Sequence, residues 1–496
     1  MRKEMCMEEL AAVLQKDGLL VSVSGSARFS EVCYDSRQVK PGALFVCKGL
    51  AFKPEFLDAA LRQGAVCYMA ETDFGVKGIP CLIVRNVRQA LSLASIYRYG
   101  RPFEAFSLVG ITGTKGKTTT AYFTRSILDQ AAGRPTALLS TVEMFTGGQP
   151  QEAHLTTPES LELQACFDDT RAHSIPFLTM EASSQAYKQS RVHGVPCDVG
   201  VFLNIDEDHL GPLEHADYED YLSCKLELLK NSRTVVIYSG TRDFQRVRDT
   251  AVRAGAKVIT FGRQGDDYTI GNLEKLPRGF AFDILANGFQ ERVSIDMEGR
   301  FNIMNALAAT AAARALGADA KSIRAGLRHV KVPGRMNLFQ KNGAMILVDY
   351  AHNFLSFTEL FDSLERDYPG RPIKVVCGCP GGKNLLRRRD IGRLCGKHAS
   401  YVYLTEEDPG FEDPEEICRQ MAAFIDEDRR AGWEIITDRV AAVEKAVSEL
   451  GDGDILIVAG KGEEVYRKFR GEYLPCESDI QVVRRCLGES FTAPAD

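Results

Sequence analysis

The fold of this 496-residue chain is decided by Val109-Gly110-Ile111-Thr112-Gly113-Thr114-Lys115-Gly116-Lys117-Thr118-Thr119. An apolar strand pattern runs from Ser107 to Ile111, a glycine-rich loop follows, and a helical pattern begins at Thr118. The backbone N–H groups of such a loop, together with the helix N-terminus, can face a phosphate chain. We therefore predict a nucleotide site in which Lys117 meets β- and γ-phosphate oxygens and Thr118 ligates Mg²⁺.

One spacing in the loop differs from the generic phosphate-loop motif. Gly110 lies one residue farther from Gly116 than G-x-x-x-x-G-K requires. The alternative is a glycine-rich turn that merely joins a strand to a helix. Gly-Lys-Thr between a strand and a helix favours the nucleotide site over that alternative.

Strand and helix patterns alternate outward from the loop. The strand candidates are 107–111, 177–182, 199–203 and 235–238, with a helix candidate over 118–132. Such alternation predicts a parallel sheet covered by helices. An alanine-rich helix over 302–316 precedes Val332-Pro333-Gly334-Arg335, where the Pro-Gly pair indicates a hinge.

A second parallel sheet is predicted beyond the hinge, and a smaller α/β domain before the loop. The later strand candidates are 345–348, 373–376, 402–405 and 455–458. The first hundred residues hold strand candidates at 43–46 and 81–84 and a helix candidate over 54–64. A chain of this length favours roughly three domains. We place them at residues 1–103, 104–333 and 334–496.

Composition narrows the class of protein. Hydrophobic residues at 45% and charged residues at 26% are typical of globular proteins and exclude fibrous and disordered classes. The net charge of -6 argues against a nucleic-acid partner. Scattered cysteines, a start without a signal-peptide pattern and no apolar run of ~20 residues predict a cytoplasmic protein with no membrane insertion. We take a monomer as the working expectation.

The chain resembles the Mur ligases along nearly its whole length. The motifs that carry the resemblance, besides the loop, are Asp35-Ser36-Arg37 with Pro41-Gly42, Thr156-Thr157-Pro158, Met180-Glu181-Ala182-Ser183-Ser184, Asp208-His209-Leu210, Lys225, Gly299-Arg300-Phe301-Asn302, Pro333-Gly334-Arg335-Met336 and Asp349-Tyr350-Ala351-His352. Lys115 stands where that family usually has Asn. The chain is most similar to the MurE type. This resemblance implies a small N-terminal α/β UDP-substrate domain, a central ATPase domain with a parallel sheet, and a C-terminal Rossmann-like domain.

The resemblance also implies the chemistry. Mur ligases form an amide through an acyl phosphate, using ATP and Mg²⁺, and both steps concentrate negative charge that cations must offset. Lys117, Glu181, His209 and Lys225 match the catalytic positions of the family. The metal-associated positions match Thr118, Glu181, His209 and Lys225, with Lys225 expected as a carboxylated lysine, whose anion suits Mg²⁺.

The remaining family positions concern the three substrates. Those for ATP match Gly113, Thr114, Lys115, Gly116, Lys117, Thr118, Thr119, Asn302, Arg335 and Asp349. Those for the UDP-N-acetylmuramoyl-dipeptide match Ser36, Thr156, Thr157, Ser183, Gln189 and Arg191. Those for the incoming amino acid match Arg388, Glu407, Asp408, Pro409, Gly410, Gly460 and Glu464. Taken alone, Thr156 and Thr157 before Pro158 are also typical of a turn.

The amino acid expected from the resemblance is L-lysine. Ligases of this type that add meso-diaminopimelate carry Asp-Asn-Pro-Arg, whose Arg holds the distal carboxylate, whereas this chain has Glu407-Asp408-Pro409-Gly410. Two carboxylates without the guanidinium suit a side-chain ammonium. Asn337 and Phe354-Leu355 depart from the family pattern, so meso-diaminopimelate, ornithine or another amine stays an alternative.

Two further classes compete with this interpretation. A folylpolyglutamate-synthase-like ligase shares the central ATPase design, but Asp35-Ser36-Arg37 disfavours it. A non-catalytic descendant of a ligase would be expected to have lost Lys117, Glu181, His209 or Lys225, and all four are present. A phosphate-loop switch stays an alternative, which phosphate release without acceptor or amine would reveal.

Overall fold

The structure is a computed structural model that describes residues 4–49, 52–153, 155–207, 211, 214–382, 386–428 and 431–488. Its three large sheets contain five, eleven and six strands. Each sheet lies within one of the three predicted ranges, and helices pack against all three, so the predicted three-part α/β fold is confirmed. The short 3-10 helix Pro102–Ala105 spans the first predicted boundary.

In its described residues, the N-terminal part has a five-stranded sheet, a separate two-stranded sheet and three helices. Its elements are β1 Met5–Cys6, α1 Met7–Lys16, β2 Leu20–Ser24, β3 Arg28–Phe29, β4 Glu31–Cys33, β5 Ala43–Val46, α2 Pro54–Arg62, β6 Ala65–Ala70, β7 Cys81–Val84 and α3 Val87–Tyr99. The strand order is β2-β7-β6-β5-β4, parallel except for β2 on β7. Asn86 caps α3 by accepting from the N–H groups of Arg88 and Gln89, and the helix ends at left-handed Gly100.

The central part is built on an eleven-stranded sheet. Its elements are β8 Ser107–Thr112, α4 Lys117–Ala132, β9 Ala137–Leu139, β10 Glu143–Phe145, β11 Gln151–Glu152, α5 Ser160–Ala172, β12 Phe177–Glu181, α6 Ser184–Lys188, β13 Cys197–Phe202, α7 Tyr218–Lys230, β14 Ser232–Tyr238, α8 Phe244–Arg253, β15 Lys257–Phe261, β16 Tyr268–Lys275, β17 Phe280–Ala286, β18 Phe289–Ile295, α9 Phe301–Ala315 and α10 Ala320–Arg328. The order is β11-β10-β9-β12-β8-β13-β14-β15-β16-β17-β18. The predicted parallel strands form its middle, and antiparallel strands extend both edges.

Gly110 has a packing role inside β8. It pairs in register with Gly200 of β13. A Cβ at Gly110 would lie 2.8 Å from the Leu228 side chain and 2.9 Å from Cys197 Sγ. The missing side chains at these two glycines let α7 pack closely on the sheet, and α7 carries Lys225. The unusual spacing of Gly110 is therefore explained by helix packing, not by phosphate binding.

The C-terminal part is a six-stranded sheet with five helices and a hairpin among its described residues. Its elements are β19 Asn337–Lys341, β20 Ala344–Asp349, α11 Phe354–Asp367, β21 Ile373–Cys377, α12 Leu386–His398, β22 Tyr401–Leu404, α13 Pro414–Asp428, β23 Gly432–Ile435, α14 Arg439–Ser448, β24 Ile455–Ala459, β25 Tyr466–Phe469, β26 Glu472–Pro475 and α15 Asp479–Cys486. The order is β19-β20-β24-β21-β22-β23, parallel except for β19 on β20. The hairpin is β25 on β26.

The link between the central and C-terminal parts has an unusual backbone. Gly334 has φ +67° and Met336 has φ +47°, so both are left-handed, and for Met336 this conformation is strained. The strained turn is held by two hydrogen bonds: Met336 N donates to Asp349 Oδ2 over 2.8 Å, and Tyr350 N donates to the Gly334 carbonyl over 3.0 Å. The predicted hinge is therefore tied to the end of β20.

None of the described helices combines the length and the apolar character needed to cross a bilayer.

Candidate active site

A cavity of about 460 Å³ lies between the carboxyl ends of the central strands and the C-terminal part. The predicted residues in its wall are Thr114, Lys115, Gly116, Lys117, Thr118, Thr119, Thr156, Glu181, Asn302, Arg335, Asp349, Glu407, Asp408 and Glu464. The predicted residues with described positions outside its wall are Ser36, Gly113, Thr157, Ser183, Gln189, Arg191, Lys225, Arg388, Pro409, Gly410 and Gly460. Residues predicted for ATP and for the amino acid thus share one cavity.

The phosphate loop connects β8 to α4 as predicted. Gly116 is the residue before α4 and has φ +82°, and a Cβ there would lie 2.4 Å from Asn305 Oδ1. Lys115 N donates to Asn204 Oδ1 over 2.8 Å, which ties the loop to the end of β13. The Lys117 ammonium donates to the Gly113 carbonyl over 2.9 Å. The loop therefore presents a cation and the N-terminus of a long helix to the cavity.

Two of the residues predicted to hold Mg²⁺, Thr118 and Glu181, are chemically suited to a hard cation. Glu181 ends β12 and is 1% exposed, and its Oε1 accepts from Thr141 N over 2.8 Å. No donor among the described residues reaches its buried Oε2. A buried carboxylate oxygen without a hydrogen-bond donor needs a cation or a donor from a bound ligand. Glu181 Oε2 and the Thr118 hydroxyl, both in the cavity wall, are therefore suitable ligands, whereas His209 lies outside the described residues.

Lys225 lies under the phosphate loop. Its side chain is 1% exposed, and its ammonium donates to the Gly113 carbonyl over 2.8 Å. The nitrogen is also 4.6 Å from the centre of the Tyr221 ring, and Tyr221 OH lies 3.1 Å from Thr114 Oγ1. A lysine so deeply buried is uncommon, and its place beside the loop suits a role in the site. Carboxylation of Lys225 stays a prediction.

An apolar pocket adjoins the phosphate loop. Its wall contains side chains that end β14 and β15 and that begin α9, with one from α11: Tyr238, Phe261, Phe301, Met304 and Leu360. Asn302 is 1% exposed, its Nδ2 donates to the Glu298 carbonyl over 2.6 Å, and its Oδ1 accepts from Asn305 Nδ2 over 2.9 Å. Sequence analysis found Asn302 but missed the apolar wall. Phe301, directly before Asn302 in the sequence, was the residue that could have indicated this wall.

Two predicted ATP residues lie at the hinge. The Arg335 guanidinium stacks over the Tyr350 ring at 4.5 Å. Asp349 accepts from Met336 N and from Ala351 N, each over 2.8 Å, and burial raises the pKa of its carboxyl above the usual range. Both side chains border the cavity, so a nucleotide there is within reach of the hinge.

Several residues predicted for the UDP-substrate form a cluster beside Glu181. Thr157 donates to the Glu181 carbonyl over 2.8 Å, and Ser183 N donates to Thr157 Oγ1 over 3.1 Å. Arg191 donates to the Thr157 carbonyl over 3.3 Å. Gln189 ends α6 by donating its backbone N–H to Gln185. Ser36 lies in the N-terminal part, in the turn that follows β4.

Carboxylates gather at the far end of the cavity. Glu407, Asp408 and Glu464 line it, and Gly460 packs against Glu407 with φ +114°. Burial raises the pKa of Glu407 to about 7, even though Arg439 and Lys461 act in the opposite direction. An ammonium bound beside these carboxylates would favour their charged forms.

The loop that carries Pro409 and Gly410 is fixed by the hairpin β25–β26. Gly410 N donates to the Lys468 carbonyl over 3.1 Å, and Arg470 N donates to the Gly410 carbonyl over 2.7 Å. Gly410 has φ +61°, and the nearest atom to an added Cβ is 3.7 Å away. The position therefore has room for a side chain, at the cost of backbone strain.

Arg388 and its neighbour Arg387 have different surroundings. Arg388 is 2% exposed, donating to Gln420 over 2.7 Å and to Glu412 over 2.9 Å. Arg387 is in the cavity wall together with Glu407. The role predicted for Arg388 toward the amino acid stays a prediction, and Arg387 is a cation that sequence analysis did not single out.

Comparisons with known proteins identify two matching families of domains. The family described as "Mur ligase middle domain" matches residues 111–313. The family described as "Mur ligase, glutamate ligase domain" matches residues 334–462. The matches fall on the central and C-terminal parts that form the cavity.

Relatives match most of the chain. The UDP-N-acetylmuramoyl-L-alanyl-D-glutamate–L-lysine ligase of Streptococcus sanguinis is 41% identical over 464 residues, covering 92% of this chain and 93% of the relative. A solved UDP-N-acetylmuramoyl-L-alanyl-D-glutamate–2,6-diaminopimelate ligase is 27% identical with TM-score 0.65, covering 93% of this chain and 95% of that one. A folylpolyglutamate synthase of Mycobacterium tuberculosis, solved with ADP, is 19% identical with TM-score 0.61, covers 75% of this chain and 91% of its own, and shares the fold.

Proposed function

Because the chain belongs to the Mur ligase family, we propose that it joins L-lysine to UDP-N-acetylmuramoyl-L-alanyl-D-glutamate at the expense of ATP, in peptidoglycan precursor synthesis. The observation that supports it best is the single cavity in which the phosphate loop faces a cluster of carboxylates across the boundary between two domains. The phosphate-loop end of the cavity suits a nucleoside triphosphate, and the carboxylate end suits an amine. The setting proposed is the cytoplasm, with the protein acting as a monomer.

The first step is phosphoryl transfer to the substrate carboxylate. A carboxylate oxygen of the dipeptide attacks the γ-phosphorus of ATP, and the bond from that phosphorus to the β–γ bridging oxygen breaks. ADP departs, and the dipeptide now carries an acyl phosphate. Lys117 and the N-terminus of α4 offset the charge on the phosphate oxygens. Thr118 and Glu181 would hold Mg²⁺, with His209 and carboxylated Lys225 as further ligands. Bound there, Mg²⁺ would supply charge neutralisation to both reacting anions.

The second step is amide formation. The α-amine of lysine, in its neutral form, attacks the acyl carbon, and the tetrahedral intermediate that forms loses a proton from its nitrogen. The bond from the acyl carbon to the phosphate oxygen then breaks, and hydrogen phosphate leaves with that proton. Glu407, Asp408 and Glu464 provide the negative end toward which the side-chain ammonium of lysine points. Arg388 and its neighbour Arg387 provide the positive charge for the α-carboxylate of lysine. Holding both ends of lysine fixes which of its two amines faces the acyl phosphate.

The acceptor enters from the side of the N-terminal part. Thr156, Thr157, Ser183, Gln189 and Arg191 are proposed to bind the acidic peptide and diphosphate oxygens of UDP-N-acetylmuramoyl-L-alanyl-D-glutamate, and Ser36 its uridine end. Thr157 links this cluster to the Glu181 carbonyl, so the acceptor carboxylate can lie next to the metal ligands.

The experiment is a panel of amino acids. Purified protein is incubated with UDP-N-acetylmuramoyl-L-alanyl-D-glutamate, ATP, Mg²⁺ and either L-lysine, L-ornithine, meso-diaminopimelate or L-glutamate, and the product mass and phosphate release are measured. We expect a product one lysine residue heavier than the acceptor and phosphate release that needs acceptor and lysine together.

The omission controls separate the competing classes. Slow phosphate release without acceptor or amine would indicate a switch, and no release under any condition would indicate a binding protein. Preferred use of glutamate with a folate acceptor would indicate the folylpolyglutamate type. Better use of meso-diaminopimelate than of lysine would refute the lysine assignment and leave the ligase class in place.

A further inference from the structure

Glu159 lies where the N-terminal and central parts meet. It follows Thr156-Thr157-Pro158 directly in the sequence. Its Oε1 accepts from Arg191 Nε over 2.8 Å, and its Oε2 accepts from the Lys48 ammonium. Lys48 belongs to the N-terminal part, just after β5. One carboxylate of the central part therefore joins a predicted substrate residue to a cation of the N-terminal part.

The bridge of Lys48, Glu159 and Arg191 is mostly buried. The exposed fractions of the three side chains are 11%, 19% and 14%. Burial alone would raise the pKa of the Glu159 carboxyl, but the charges of Lys48 and Arg191 outweigh burial and hold that pKa below its usual range. Charge-assisted hydrogen bonds with so little access to water hold their partners more firmly than surface ion pairs do. With two cations and one carboxylate, the bridge keeps one net positive charge.

Further contacts fix both cations of the bridge. The Lys48 ammonium lies 4.1 Å from the centre of the Tyr34 ring, and Tyr34 OH donates to Glu162 Oε1 over 2.6 Å. On the other side, Arg191 donates to the Thr157 carbonyl over 3.3 Å. The bridge thus reaches from the turn after β4 to the cluster of residues predicted for the UDP-substrate.

Glu159 has a second possible use, which it does not take. It stands at the N-cap position of α5, where a carboxylate can accept from backbone N–H groups of the first turn. Its side chain makes no such capping hydrogen bond to α5, all of whose residues the structure describes. Both carboxylate oxygens are turned instead to Lys48 and Arg191.

We propose that Glu159 is a positioning residue for the acceptor: it holds the Arg191 guanidinium in place and ties it to Lys48, so that the orientation of Arg191 depends on the contact between the N-terminal and central parts. This inference rests on the proposed function, in which Arg191 binds acidic oxygens of the acceptor. Sequence analysis assigned neither Lys48 nor Glu159 to the site. Glu159 acts on the acceptor through Arg191, and Lys48 acts through Glu159.

The test measures binding of UDP-N-acetylmuramoyl-L-alanyl-D-glutamate by titration calorimetry with a non-hydrolysable ATP analogue present, alongside the KM for ATP and the melting temperature. Glu159→Gln keeps the size of the side chain and removes its charge. Acceptor affinity should fall by about tenfold or more, because Arg191 loses the partner that orients it, while the KM for ATP stays within about twofold. A role for Glu159 as a charge alone predicts the opposite, since removing a negative charge would strengthen binding of an anionic acceptor.

A double-mutant cycle tests whether Glu159 acts through Arg191. In an Arg191→Met background, Glu159→Gln should change acceptor affinity by no more than about twofold. If Glu159 only packs the two parts together, its replacement should cost the same affinity in both backgrounds.

Asp17→Asn is the matched control. Asp17 Oδ2 lies 2.8 Å from His193 Nε2, so it also joins the N-terminal part to the central part, but without contacting Arg191. This variant should keep acceptor affinity within about twofold, because the Arg191 partners are unchanged.

The Lys48 variants give a second test that leaves Glu159 in place. Lys48→Arg keeps a cation for Glu159 and should bind the acceptor like the unmodified protein, whereas Lys48→Met should bind it several-fold more weakly. Equal acceptor affinity of these two variants would overturn the inference, and this pair decides if Glu159→Gln does not melt like the unmodified protein.

The outcomes separate this inference from the proposed function. Absence of acceptor binding and of product in the unmodified protein would overturn both. Unchanged or stronger acceptor binding by a folded Glu159→Gln variant, in a protein whose unmodified form makes the lysine product, would overturn the inference alone. Equal losses from Glu159→Gln with and without Arg191 would also overturn it.

Discussion

Gly116→Ala tests whether the phosphate loop depends on the contact between Gly116 and Asn305. The φ of +82° at Gly116 costs an alanine about 1–2 kcal/mol. The new Cβ would also lie 2.4 Å from Asn305 Oδ1, an atom that cannot swing away freely because Asn305 is 7% exposed and hydrogen-bonded to Asn302 and Thr120. Losing one or two such bonds costs about 1 kcal/mol each.

The sum predicts the size of the effect. The strain and the lost hydrogen bonds together cost about 2–4 kcal/mol. If this free energy weakens phosphate binding by the loop in full, kcat/KM for ATP falls about 30-fold to 1000-fold. The same helix offers a matched control at its other end. Gly133→Ala has φ +66° and nothing within 4 Å, so it should cost about 1 kcal/mol of stability and leave kcat/KM for ATP unchanged.

The assay is steady-state phosphate release at varied ATP, with thermal melting of each variant. Asn305→Ala added to Gly116→Ala removes the clashing oxygen and should recover part of the loss, which a double-mutant cycle measures. If Gly116→Ala matches Gly133→Ala in both ATP use and melting temperature, the steric reasoning about the loop is refuted.

Four further predictions follow from the site. Lys117→Ala should abolish product formation, a loss of about 100-fold or more, while the melting temperature stays close to that of the unmodified protein; near-normal turnover would remove the loop assignment. Lys225→Ala should lose activity and Lys225→Glu should regain a small part, because it returns an anion; wild-type turnover in Lys225→Ala would refute the carboxylated-lysine role. Unmodified protein should use L-lysine far better than meso-diaminopimelate, since an unpaired buried carboxylate costs about 2–5 kcal/mol, and Gly410→Arg should lower lysine use. Finally, the pKa of Glu407, near 7, means that its carboxyl becomes neutral as the pH falls from about 8 to about 6, so the KM for lysine should rise over that interval and Glu407→Gln should flatten the profile.

The parts of the fold that sequence analysis predicted are those with strong local patterns. The strand and helix around the loop were expected at 107–111 and 118–132 and lie at Ser107–Thr112 and Lys117–Ala132. The antiparallel edge strands β16, β17 and β18 were missed. In β16 the strand pattern is interrupted by Gly271 and Asn272, where the register on β17 is irregular up to Glu274.

The site was predictable where a residue sits next to a motif, and not where contacts join distant segments. Lys461 is 53 residues from Asp408, and its pairing depends on two loops meeting at the edge of one sheet. Arg387 and Arg388 are neighbours on a helix, where one position is a rotation of about 100°, so sequence alone cannot say which faces the cavity. Tyr238 and Phe261 reach the apolar pocket beside the phosphate loop only because their strands end at the same edge.

A movement at the hinge of Gly334 and Met336 would couple nucleotide affinity to the position of the C-terminal part. Asp349 holds the strained turn through Met336 N and also borders the nucleotide cavity, so a ligand that changes the environment of its carboxylate also acts on the turn. Thermodynamic linkage then requires reciprocity: whatever factor ADP contributes to the closed arrangement, closure must contribute to ADP affinity. Opening at this hinge would therefore favour release of ADP by the same factor by which release of ADP favours opening.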